Sequence, residues 1–90
     1  MHDLMMAEAI LGRDAEDFAK SELGRYILGR CDQEISEAQD ELSRVFAWRR
    51  RRIQDLQNRI WRAKNLKGWV LELIGNGRQA EAAMDEIERE

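Results

Sequence analysis

Apolar residues in the second half of the chain recur at spacings of three and four. Ile53, Leu56, Ile60, Ala63, Lys67, Val70 and Ile74 fall on one stripe, the repeat of a helix that buries one face. Lys67 belongs to it if its methylene stem lies along the apolar surface. Trp61, Leu71 and Leu73 widen the stripe. No proline interrupts the stretch, so a helix over about 48–74 is expected, ending at Gly75 in the sequence GNG, where glycine takes a left-handed C-terminal position.

A second stripe precedes it: Phe18, Leu23, Ile27, Cys31, Ile35, Ala38, Leu42 and Val45. It predicts a long helix over about 14–43, with Asp14 as N-cap. Gly24 and Gly29 lower its intrinsic helicity. Packing tolerates them, or they mark the close approach of another helix. Before it, residues 3–11 read as a short helix capped by Asp3 and closed by Gly12, or as a loosely attached arm. Leu4, Met5, Ile10 and Leu11 give that helix an apolar face able to dock on a neighbour. After GNG, residues 77–88 form a terminal helix with a thin face of Ala80, Ala83, Met84 and Ile87.

Between Glu34 and Leu66 nothing breaks a helix strongly. Two arrangements follow: one continuous helix supported by a coiled coil, or an antiparallel hairpin turning at about 43–48. Charge favours the hairpin. Residues 1–43 hold four basic and eleven acidic side chains, a net of −7. Residues 44–67 hold nine and one, +8, and residues 68–90 hold two and six, −4. Folding back sets Arg49–Arg52 beside Glu37, Asp40 and Glu41. It also brings Arg59, Arg62 and Lys64 near Asp32 and Glu34. The segment RVFAW has no turn-forming residue, so such a turn relies on packing. The expected architecture is all-α: a long antiparallel helical hairpin with short N- and C-terminal helices, in a single domain over 1–90.

Composition narrows the function classes. The chain has 90 residues, no proline, 43% hydrophobic and 37% charged residues. High charge suits long helices with wide solvated faces, and sparse β-branched residues argue against a sheet. Cys31 is the single cysteine, so no intramolecular disulfide or multi-cysteine zinc site forms within one chain. It sits on an apolar stripe, as a small hydrophobe does. His2 is the only histidine and has no acid partner in view. Neither residue carries a convincing nucleophile or metal ligand, and the inward Glu-x-x-His of di-iron bundles is absent. No glycine-rich phosphate loop is present. The expectation is a non-enzymatic protein with no cofactor and no metal. No apolar run reaches membrane-spanning length and no signal-peptide pattern opens the chain, so a cytoplasmic setting is expected.

The candidate interaction surface is Trp48, Arg49, Arg50, Arg51, Arg52, Arg59 and Arg62. A tryptophan among arginines is the composition of a binding hot spot, although Trp48 could equally pack the turn. Trp61 and Trp69, beside Ile60 and Val70, are expected in the core. Arginine with exposed tryptophan also suits a nucleic-acid backbone. Against that stand the overall acidity, the available acidic partners, and four consecutive arginines pointing around the helix.

The stretches ELGRYILGRCDQEISEAQDEL and IQDLQNRIWRAKNLKGWVLELI resemble small all-helical proteins encoded in tailed-phage and prophage genomes. The resemblance rests on LGRYILGR and LQNRIWRA and covers about 60 residues. It implies a viral or prophage setting and a part in assembly or packaging, with no activity or ligand to transfer. The reading is a self-associating protein-interaction or structural protein, with a homodimer favoured. Nucleic-acid binding through residues 49–67 is the alternative.

Overall fold

A computed structural model describes residues 2–89, which form three helices: α1 (His2–Lys20), α2 (Glu22–Leu42) and α3 (Arg50–Arg89). The chain is all-α, and the 40-residue α3 packs against both shorter helices. It divides into two compact units. One comprises residues 1–25 and 69–90, the other residues 26–68.

In the 26–68 unit the expected hairpin is present. Helix α2 ends at Leu42, residues 43–49 are non-helical, and α3 starts at Arg50. The two arms run antiparallel: Arg52 pairs with Glu41, Arg59 with Glu34 and Lys67 with Asp32, so one number falls as the other rises. Cys31, Ala38, Leu56 and Ala63 are buried between them, and Leu56 is fully enclosed. Ile27, Ile35, Leu42, Ile53 and Ile60 are half-buried around that line. The three-and-four stripe therefore packs as its spacing requires.

The unit of residues 1–25 and 69–90 departs from expectation at three places. Helix α1 does not stop at Gly12 or begin again at Asp14; it runs on to Lys20. Helix α3 does not end at Gly75, and no separate helix starts at 77; the GNG segment is helical throughout. The cause is common to both. A Cβ on Gly12 would lie 2.5 Å from the Gly77 Cα, and one on Gly77 would lie 2.6 Å from the Gly12 Cα. These glycines let two helix backbones touch, and no glycine takes a positive φ. Ala9 and Ala15, three residues either side of Gly12, and Ala80, three beyond Gly77, are buried as well. Arg13–Glu81 at 2.5 Å and Arg78–Glu16 at 2.7 Å flank the glycine contact and fix an antiparallel register.

The third departure is a break at Ser21 in the helix expected over 14–43. The Ser21 Oγ accepts from the Gly24 N–H at 2.9 Å and donates to the Phe18 carbonyl at 2.6 Å. Serine thus caps α2 while closing the end of α1. Gly24 is required here for a local reason, since a Cβ there would collide with the Phe18 carbonyl. Gly29, by contrast, has nothing within 4 Å and marks no helix approach.

Trp61 and Trp69 are not core residues; they are 66% and 62% exposed. Successive helical residues point about 100° apart, so the burial of Ile60 and Val70 does not carry their neighbours inward. Leu71 and Leu73 are exposed for the same reason. Leu23 is turned out beyond the Ser21 break. Among the described residues, no helix is long and apolar enough to cross a membrane.

Candidate interaction surface

The sequence-derived surface belongs to the 26–68 unit and separates into three environments. The first is the hairpin connection. Helix α2 closes with the Ser43 N–H on the Gln39 carbonyl at 3.1 Å and the Ser43 Oγ on the Asp40 carbonyl at 2.6 Å. The Arg49 N–H then bonds the Phe46 carbonyl at 3.0 Å, and the Arg49 carbonyl receives the Ile53 N–H at 3.1 Å as α3 begins. Within this turn the Phe46 and Trp48 rings stack, with centroids 4.5 Å apart and planes 7° from parallel. The stack supplies the local order that the missing turn residues do not. Its members are 60% and 75% exposed. Arg44, Arg49, Arg50 and Arg51 flank it along the chain, all exposed. Among the described residues, none of these four makes an ion pair.

The second environment is the seam between the arms. The Arg52 Nη2 donates to the Glu41 Oε1 at 2.6 Å and its Nε to the Glu41 Oε2, a two-pronged pair. The Arg59 Nε and Nη2 both reach the Glu34 Oε2, at 3.0 and 2.8 Å, while Arg30 holds the Oε1 at 3.0 Å. These hydrogen bonds hold both glutamates below their usual range, against the opposing effect of burial, and the Glu41 contact raises Arg52. Arg52 and Arg59 are therefore committed within the chain. The expected pairing of Arg49, Arg50 and Arg51 with Glu37 and Asp40 does not form. Glu37 instead accepts from the Gln33 amide at 2.8 Å.

The third is an open groove of about 310 Å³ along the hairpin. Tyr26, Ile27, Cys31, Ala63 and Leu66 form its apolar wall, with Arg30, Glu34, Arg59 and Arg62 along its side. Arg62 thus lies apart from the connection, although its charge still helps to depress Glu34. Cys31 is a buried free thiol in this wall, and His2 is exposed at the start of α1.

Sequence reasoning missed the breadth of exposed apolar surface. Among the described residues, fourteen large hydrophobic side chains are exposed, while Leu56 alone is fully buried. Met6, Leu66 and Tyr26 are among them. The spacing held a signal for some: Met6 with Ile10 on α1, and Trp69 with Leu73 on α3, recur at four. Each pair forms a second apolar edge beside the stripe that packs.

No protein-family model, curated protein or solved structure matches the chain.

Proposed function

We propose that this is a non-catalytic interaction protein that works by associating with further copies of itself. The observation that carries the reading is the imbalance between exposed and buried apolar side chains. A monomer leaves Leu4, Ile10, Trp61, Trp69 and Leu71 each more than half exposed around a core built largely of alanine. Such surface is normally covered by a partner.

Charge supports a second copy as that partner. The 26–68 unit carries ten basic and six acidic side chains, a net of +4, and the other unit carries five and twelve, −7. Unlike units of two copies attract, and in a twofold pair both such contacts form at once. A homodimer is the simplest closed form. In a tailed-phage or prophage setting, a small self-associating helical protein would serve particle assembly.

Tryptophan emission tests the reading. Trp48→Phe leaves Trp61 and Trp69 as reporters. Concentrating this variant from below 1 µM to about 100 µM should shift its emission to shorter wavelength as the two rings are covered. Solvent-like emission throughout that range overturns the proposal.

A further inference from the structure

We propose that the hairpin connection, residues 44–51, is a binding site for single-stranded nucleic acid. This goes beyond self-association: it rests on the aromatic ledge, and it shares with that reading the charge of the open arginines. Phe46 and Trp48 already form a stacked, outward-facing aromatic ledge. Arg44, Arg49, Arg50 and Arg51 lie within five residues of it along the chain, and the 3.0 Å Phe46–Arg49 bond ties the ledge to the arginines. Aromatic faces take bases without regard to sequence, and guanidinium groups take the phosphates between them.

No ion pair among the described residues accounts for these four arginines, although the charge of Arg44 helps to lower Glu41. Arg52 and Arg59 use the acids of α2, while the other four make no ion pair among the described residues. Asp55, one helical turn beyond Arg51, is not paired with it. The first turn of α3 has no acidic residue, so consecutive cations crowd the positive end of a helix and repel one another. An arriving polyanion relieves that repulsion. The pointing of consecutive arginines around the helix suits a flexible strand that bends over a hairpin tip. A duplex presents its phosphates on a stiff surface and hides its base faces, so the aromatic ledge would gain nothing from it.

The test is fluorescence anisotropy of a dye-labelled oligothymidylate of about 20 nucleotides with the full chain at low salt. Binding is expected, and log K should fall against log salt with a slope of about −3 for four neutralised phosphates. Replacing Arg49, Arg50 and Arg51 together by glutamine should flatten that slope by about 2. Trp48→Ala should weaken binding about 5- to 150-fold, while Lys20→Gln, an exposed cation in the other unit, should leave it unchanged. In a protein with Trp61 and Trp69 both replaced by phenylalanine, saturating oligonucleotide should quench Trp48. That readout stands even if Trp48→Ala loosens the turn. Absence of binding at low salt overturns the proposal. So does unquenched Trp48 at saturation, or equal competition by a duplex or by polyglutamate.

Discussion

Replacing Gly77 by alanine should open the contact between α1 and α3, although alanine is the better helix former. The added Cβ would lie 2.6 Å from the Gly12 Cα, 3.1 Å from the Glu8 carbonyl oxygen and 3.2 Å from the Gly12 nitrogen. Non-bonded carbons rest about 3.5–4.0 Å apart, so the helices must part by about 1 Å. Every atom struck belongs to backbone, and no rotamer change relieves the clash. Overpacking of this kind costs about 1–3 kcal/mol. The upper end applies here, offset by about 1 kcal/mol of gained helix propensity. The net is a loss of about 2 kcal/mol. Gly75, two residues earlier in the same helix, has nothing within 4 Å of its would-be Cβ. Gly75→Ala should therefore gain up to about 1 kcal/mol. The assay is urea unfolding followed by far-UV circular dichroism and tryptophan emission at one protein concentration. Gly12→Ala should behave as Gly77→Ala does. The double variant should cost less than the sum, because the first alanine has already parted the backbones. Equal stability of Gly75→Ala and Gly77→Ala would refute the close crossing.

Leu56→Ala should destabilise by about 2–5 kcal/mol in the same urea assay, since Leu56 is the large side chain wholly enclosed between the hairpin arms. Ser21→Ala removes the cap of α2 and should cost about 0.5–2 kcal/mol. Amide exchange should show the first turn of α2 opening before the rest. Stability should also fall in acid. The folded pKa values of Glu34 and Glu41 lie below the ordinary 4.5, so the unfolded chain binds protons first as pH drops. Their contribution is complete above that ordinary value and is lost as pH falls through the depressed folded values. Urea midpoints from pH 7 to acid should record the fall, and Glu34→Gln with Glu41→Gln should flatten it.

The hairpin was legible because two independent patterns agreed on it. Each step of the stripe from Ile53 to Ile74 is three or four residues, and the acidic arm had a basic arm of matching length. Arg52 and Arg59 pair along that register, and the connection falls at 43–49, where RVFAW has no turn-forming residue. The glycines were harder. In sequence, glycine signals either a left-handed backbone or a close approach, and only the partner helix decides which. One cue pointed the right way: Ile74, Gly77, Ala80 and Met84 continue the stripe unbroken through GNG, as Ala9, Gly12, Ala15 and Ala19 do on α1. Ser21 was masked as a cap by apolar residues on both sides whose spacing nearly matches. At the candidate surface, sequence identified Trp48 and the arginines together. It did not distinguish the arginines engaged by glutamate from those left open, because that depends on which way each points once the arms are in register.

The mass of the protein in solution tests self-association most directly. Sedimentation equilibrium at micromolar concentration should give a mass near twice the 10.6 kDa chain, falling toward one chain on dilution. A mass of 10.6 kDa at every concentration would contradict the account, leaving the exposed tryptophans and leucines without the second copy assigned to them.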